Sequence, residues 1–217
     1  MMLWQLEFGF IRWLQRPCRE SGFLYKEWQA GSAYCGECRV PASEKQTANR
    51  NALAVVMAFL KVVREFVNIG FDGKLKAGQT AFNAAVSYHL KNAVDGVYPD
   101  LYLDYAKVKL ACGRHIGTTA SAVLNDDGIL VTWDFEPHTC FEQASERVML
   151  LAFFPVLSRA VYVLDGADRC ACSEQLYLPP ELCNAYMEVY MCFASRTKRD
   201  DTTESVYLGK QNLPGAV

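Results

Sequence analysis

The spacing of apolar side chains changes near residue 100, and that change constrains the fold more than any other feature of the chain. Before it, apolar residues return every three to four positions, as on one stripe of a helix; after it they return every second position, as on one face of a strand. Leu53, Val56, Phe59, Leu60, Val63 and Val67 carry the first pattern. Leu101, Leu103 and Tyr105, alternating with Tyr102 and Asp104, begin the second. The expected class is α+β, with two N-terminal helices packed on an antiparallel β-sandwich of about eight strands.

Ser43 and Gln46 have the spacing of a capping box, in which each side chain satisfies an orphan backbone N–H at a helix start. The first helix is therefore expected from Ser43 to a stop at Gly70. A second is expected from Thr80 until Gly96 and Tyr98-Pro99, since a residue before proline is pushed out of the helical region. Phe82, Val86, Leu90 and Ala93 line one of its faces, and Asn83, Ser87 and Lys91 another. Neither helix can bury its apolar stripe alone, so both are expected to pack on each other and on the sheets.

In the second half the parity slips at Val108 and Leu110, which points to a bulge near Ala106-Lys107. Asn125-Asp126-Asp127-Gly128 is a strong turn signal joining Ala120–Leu124 to a strand whose Ile129, Val131, Trp133 and Phe135 share a face. Val148–Phe154 is apolar on both faces and is expected to be a central strand. Further strands are expected over Ala160–Leu164, Cys170–Leu178, Tyr186–Phe193 and Val206–Leu208, with Met187, Val189, Met191 and Phe193 pointing one way and Tyr186, Glu188 and Tyr190 the other. The organisation read from these patterns is an irregular arm over residues 1–40, a helical segment over 41–98 and a β-sandwich domain over 99–212.

Composition narrows the function classes. Hydrophobic residues make up 51% and charged residues 21% of the 217, as in an ordinary globular chain. The net charge of −2 divides unevenly: +1 over residues 1–40, +3 over 41–98 and −6 over 99–217. A nucleic-acid-binding domain concentrates far more positive charge on one face, so this partner class is held as an alternative, resting on Lys45, Arg50, Lys61, Arg64, Lys74, Lys76 and Lys91. The nine cysteines are an odd number, several at strand positions, and are expected to be free thiols in a reducing cytoplasm. Glu7 interrupts any leader-like apolar run, and Lys61, Arg64 and Glu65 interrupt Ala52–Val67, so neither a leader nor a membrane span is expected.

The block Phe82-Asn83-Ala84-Ala85-Val86-Ser87-Tyr88-His89-Leu90-Lys91-Asn92-Ala93, followed by Gly96, Tyr98-Pro99 and Asp104-Tyr105-Ala106-Lys107-Val108, resembles the central part of an uncharacterised protein family of Bacteroides-type bacteria. Pro41–Gln46 resembles the start of that family's first helix and Ser205–Gly209 its closing strand, so the resemblance covers about residues 41–210. It implies a bacterial setting and a helical segment followed by an immunoglobulin- or fibronectin-III-like sandwich, and it implies no chemistry. Relatives carry a glycine-rich, basic and aromatic stretch at the front that residues 1–40 do not follow, a departure that a shifted reading frame would produce.

Several constellations bear on chemistry. Cys35-x-x-Cys38 has redox spacing, but a zinc site needs a second such pair, and Cys170-x-Cys172 has the spacing of a strand. Asp134, Glu136 and His138 share a face if their strand continues, which would suit acid–base work; Pro137 is expected to end it and leave a solvated edge. His89 is expected to be a satisfied interior histidine. No nucleophile elbow, phosphate loop or zinc-protease helix occurs, so no catalytic residue, metal or cofactor is assigned. Asn83, Ser87, Tyr88, Lys91 and Asn92, on adjoining stripes of the second helix, form the candidate binding surface; alternatively they tie that helix to Asp104–Val108. The expected function is a non-enzymatic binding or structural module with a protein partner, with nucleic-acid association as the alternative and a hydrolase behind it.

Overall fold

The computed structural model describes residues 41–76, 78–115, 118–135, 141–198 and 201–212. The chain divides into two units, residues 1–41 and 42–217, and apart from Pro41 the description concerns the second.

Helix α1, Glu44–Val62, starts at the expected capping box: Gln46 N–H donates to Ser43 Oγ at 3.3 Å, and Ser43 N–H donates to Gln46 Oε1 at 3.1 Å. The single helix expected from here to Gly70 is instead two, because Val63 leaves helical geometry (φ −104°, ψ 21°) before α2 resumes over Arg64–Gly70. With the break placed there, Val63, Phe66 and Val67 are all fully buried. The stripe runs inward as read from Val56 onward, but Leu53, one turn earlier, is 42% exposed. Gly70 ends α2 as expected, for a different reason from a left-handed cap. A Cβ at this position would lie 2.2 Å from the Leu110 carbonyl oxygen, and the Gly70 carbonyl accepts Cys112 N–H at 2.8 Å and Thr202 Oγ1–H at 3.2 Å. The glycine lets the chain after residue 108 pass against the helix end.

Helix α3, Ala81–Asn92, is capped by Thr80, whose Oγ1 accepts Asn83 N–H at 3.2 Å. It ends before the expected Gly96, giving way to β1, Val94–Asp95, which pairs with β2, Tyr102–Leu103. Of its expected buried face only Ala93 is fully buried; elsewhere the buried face is one position away. Ala81, Ala85 and His89 face inward, Phe82 and Val86 are half-buried, and Leu90 is 37% exposed. One position is about 100° of helix rotation. The small alanines allow α3 to approach α1 closely, an advantage the larger side chains would forfeit.

The bulged strand expected through Ala106-Lys107 is not formed. Tyr105–Lys107 is a single 3₁₀ turn, held by Ala106 N–H donating to the Asp104 carboxylate at 3.1 Å. The following residues extend without a ladder: Leu110 N–H donates to Ser205 Oγ at 2.9 Å and Ser205 N–H to the Ala111 carbonyl at 3.2 Å. The parity slip at Val108 therefore marks a turn.

The remaining strands are β3 (Ala120–Asn125), β4 (Gly128–Trp133), β5 (Arg147–Phe154), β6 (Arg159–Val163), β7 (Ser173–Tyr177), β8 (Met187–Ala194) and β9 (Val206–Gln211), with a one-turn helix α4 at Phe141–Ala144. They form a three-stranded sheet, β3-β4-β7, and a four-stranded sheet, β6-β5-β8-β9, with every pairing antiparallel. The expected Asn125–Gly128 turn joins β3 to β4, with Gly128 at φ +143°. The strand expected from Cys170 begins only at Ser173, since Arg169–Ala171 form a 3₁₀ turn and Cys172 takes φ +60°.

The four-stranded sheet is buried on both sides. Val148, Leu150, Ala152 and Phe154 of β5 and Met187, Val189, Met191 and Phe193 of β8 meet Ile129, Val131, Trp133 and Leu176 of the other sheet. Met149, Leu151 and Phe153 of β5, with Tyr190 and Cys192 of β8, meet the helices. The layers are thus helices, four-stranded sheet, three-stranded sheet. Leu151→Ala should lower unfolding free energy by about 2–5 kcal/mol, whereas Val123→Ala on the 59%-exposed face of β3 should change it by about 0.5 kcal/mol or less; urea denaturation of both variants measures the contrast.

Candidate functional site

The five residues expected to form a surface on α3 lie along its outer side: Asn83, Lys91 and Asn92 are exposed, Ser87 and Tyr88 half-buried. Tyr88 Oη–H donates to the Lys107 carbonyl at 3.5 Å, and Asn92 Nδ2–H donates to the Tyr88 carbonyl at 2.8 Å. Lys109 Nζ stands 5.9 Å from the centre of the Tyr88 ring.

His89 is fully buried beneath them, between the rings of Tyr88 and Phe59, with centroids at 5.4 and 6.1 Å. Its Nδ1 lies 2.7 Å from the Ala85 carbonyl oxygen, so that nitrogen carries the hydrogen, but Nε2 has no hydrogen-bond partner among the described residues, so the histidine is interior as expected yet satisfied at one nitrogen only. Burial lowers its pKa, opposed by the bond to Ala85. Cys170 and Cys172 are exposed free thiols, Cys112 and Cys183 half-buried ones, and Cys192 is buried, where burial raises its pKa. Asp134 is exposed; Glu136, His138, Cys35 and Cys38 lie outside the described residues. Among the described residues no group of three His, Cys, Asp or Glu side chains could hold a metal ion, and no helix is long and apolar enough to cross a membrane.

Among the described residues two carboxylates are buried, Glu146, which no sequence pattern marked, and Glu188, which the strand pattern grouped with Tyr186 and Tyr190. Glu146, 2% exposed, receives the guanidinium groups of Arg114 and, at 3.0 Å, Arg169. Arg114 also meets Asp201 at 2.8 Å, and Arg169 donates to Thr118 Oγ1 at 2.6 Å while lying 4.8 Å from the centre of the Phe193 ring. This network joins the chain near residues 114, 146, 169 and 201 at one end of the sheets. Buried between two guanidinium groups, Glu146 is compensated.

Glu188 is also 2% exposed but has a different environment. Its oxygens accept from the phenols of Tyr186 and, at 2.5 Å, Tyr207. Beside it Tyr190 Oη–H donates to the Tyr105 carbonyl at 2.8 Å. All four phenols have raised pKa values: burial is the leading cause in each, and the Glu188 charge contributes in each.

An open cleft of about 310 Å³ adjoins this cluster. Val55 and Phe59 of α1 form one wall, Tyr102 and Tyr105 another, and Phe153 at the end of β5 the floor, with Ser158 at the mouth. The rings of Phe59 and Phe153 meet edge to face at 4.8 Å, and Tyr105 stands 6.2 Å from Phe59 and 5.7 Å from Phe153. Tyr102 in its lining is 57% exposed, and at the tip of the β5–β6 hairpin, between the lining residues Pro155 and Ser158, Val156 is 79% and Leu157 46% exposed. A convergence of aromatic walls with a few polar groups is the usual form of a binding site. Sequence periodicity did not find it, because its walls come from α1, the β2 turn and a hairpin tip. The one local signal was Pro155-Val156-Leu157, an apolar run where a hairpin tip wants polar residues.

A family model described as a family of unknown function (DUF6266) matches residues 29–209, beginning ahead of the Pro41 at which the resemblance was placed. No curated protein and no solved structure matches the chain.

The buried neutral His89 carries a pH dependence. Its folded pKa lies below the unfolded one, so the unfolded chain takes up the proton first, and stability is lost as pH falls through about 6.5. Relative to His89→Leu, the native chain should lose ground in urea midpoint between about pH 7.5 and about pH 5.5; parallel pH profiles for the two proteins would contradict it.

Proposed function

Since the chain belongs to the DUF6266 family, whose function is unknown, we propose that it is a non-enzymatic binding module of a bacterial, cytoplasmic protein, and that it holds a protein partner in the aromatic cleft between α1 and the β5–β6 hairpin. The observation that carries this reading is an apolar cleft lined by an exposed Tyr102, with the exposed hairpin-tip residues Val156 and Leu157 between its lining residues Pro155 and Ser158. Water contact with that much apolar surface is unfavourable, and grouped exposure of this kind is characteristic of interaction sites. A rigid support favours it too, since the floor residue Phe153 belongs to the doubly buried strand β5.

The strand order supports a finer reading of the scaffold. Sheet β3-β4-β7 opposite sheet β6-β5-β8-β9, all antiparallel, is compatible with an immunoglobulin- or fibronectin-III-like sandwich, a fold that recognises partners through loops and strand edges. In this chain the helices cover the outer face of the larger sheet and leave the hairpin end open, which puts the cleft where a sandwich displays its loops. The nucleic-acid alternative has less behind it: Arg64, one of the seven basic residues over 41–98, lies over the Phe82 ring at 5.6 Å.

Leu157→Asp changes an exposed hairpin tip and should leave the unfolding free energy within about 0.5 kcal/mol of the native chain. It should nevertheless abolish recovery of the protein that co-purifies with the native chain from its own cells. Recovery of the same partner by the variant in equal yield would count against the cleft.

A further inference from the structure

Glu188 sits in the interior with phenols for partners and no ion pair among the described residues; Lys210, opposite it in the β8–β9 ladder, is exposed and forms none with it. A carboxylate buried this way leaves a negative potential that hydroxyl donors only partly offset. That potential lies beside the cleft, one strand over from its Phe153. Phe153 is the ladder partner of Glu188 on β5 and forms the cleft floor, and Tyr105, whose phenol is shifted upward by burial and then by the Glu188 charge, forms a wall.

Four aromatic side chains, Phe59, Tyr102, Tyr105 and Phe153, line the space. Ring faces carry the negative end of a quadrupole, so the rings and the neighbouring carboxylate favour the same thing, a cation. Among side-chain cations the guanidinium suits such a space best. It is planar, stacks on ring faces and is more weakly hydrated than an ammonium, so it loses less on leaving water. Ser158 in the lining offers a hydroxyl acceptor for its N–H groups.

We propose that the cleft receives an arginine side chain presented by a protein partner. This rests on the reading of the cleft as the partner site and adds the identity of the anchoring residue. The wider charge agrees: residues 99–217 carry sixteen acidic and ten basic side chains, a balance of −6 that favours approach of a basic partner. Asp100 is exposed on the Tyr102 side, where half-buried Asp104 is already paired with Lys107 at 2.9 Å, and Arg159 is exposed beside Ser158 at the other edge.

The test compares three probes on the full chain by the ring-proton NMR signals of its tyrosines and phenylalanines: N-acetyl-arginine methylamide, the citrulline analogue, and the leucine analogue. Citrulline keeps the shape of arginine and removes its charge. The arginine probe should bind about tenfold more tightly than the citrulline probe, and Glu188→Gln should erase that preference. If Glu188→Gln does not fold, Tyr102→Leu on the exposed rim should reduce the preference in its place. Equal binding of all three probes, or a preference that survives both substitutions, overturns the arginine assignment and leaves an apolar cleft standing. Binding of none of the three overturns both.

Discussion

The four-stranded sheet is the layer on which everything else is mounted, because its two central strands have no solvent face. Each side chain of β5 from Val148 to Phe154 is buried, even-numbered residues against the second sheet and odd-numbered ones against the helices. Strand β8 is buried likewise from Met187 to Phe193 with the parity reversed, Met187, Val189, Met191 and Phe193 against the second sheet and Tyr190 and Cys192 against the helices. A strand buried on both faces buries about twice the apolar area of a half-solvated one, and its backbone ladder lies beyond the reach of water. The helices could not bury their stripes elsewhere, and the three-stranded sheet would have one wet face too many without it.

The proposed site lies where that layer stops. The helices cover most of the outer face, but at the β5–β6 end they leave the aromatic floor around Phe153 open. Floor and buried charge come from neighbouring positions of the same rigid strands, Phe153 and Glu188, so the cleft inherits the stiffness of the core. At the opposite sheet end the buried carboxylate Glu146 is enclosed by Arg114 and Arg169. The contrast is informative: one carboxylate is neutralised by the chain's own cations and ties loops together, and the other is left for phenols. A fully compensated ion network belongs to stability and geometry, whereas a carboxylate held only by phenols beside a concave surface agrees with the proposed preference for a cation.

Much of this architecture could be read from the amino acids, and where reading failed it failed for nameable reasons. The capping box at Ser43, the cap at Thr80, the turn at Asn125–Gly128 and the double-faced strand at Val148–Phe154 are local signals, and each stands where it was expected. Errors arose where tertiary packing overrode the local pattern. On α3 the closeness of α1 selected Ala81 and Ala85 over the bulkier Phe82 and Val86. At Val63 the helix yields so that Phe66 and Val67 can both enter the core. At Tyr105–Lys107 a side-chain hydrogen bond from Ala106 N–H to Asp104 made a turn of what looked like a bulged strand. The candidate site was the least legible part: the expected residues Asn83, Ser87, Tyr88, Lys91 and Asn92 are neighbours along one helix, whereas the cleft is assembled from three separated segments that no short-range pattern joins.

The central claim is that the layer formed by β5 and β8 is sealed on both sides, and native-state hydrogen exchange of backbone amides tests it most directly. Amides of Leu150 to Phe153 and Val189 to Cys192 should exchange most slowly of all, only through global unfolding. Those of the edge strands β3 and β6 should exchange sooner. Exchange from β5 and β8 as fast as from β3 and β6 would contradict a doubly covered central sheet, and with it the rigid floor from which the cleft is built.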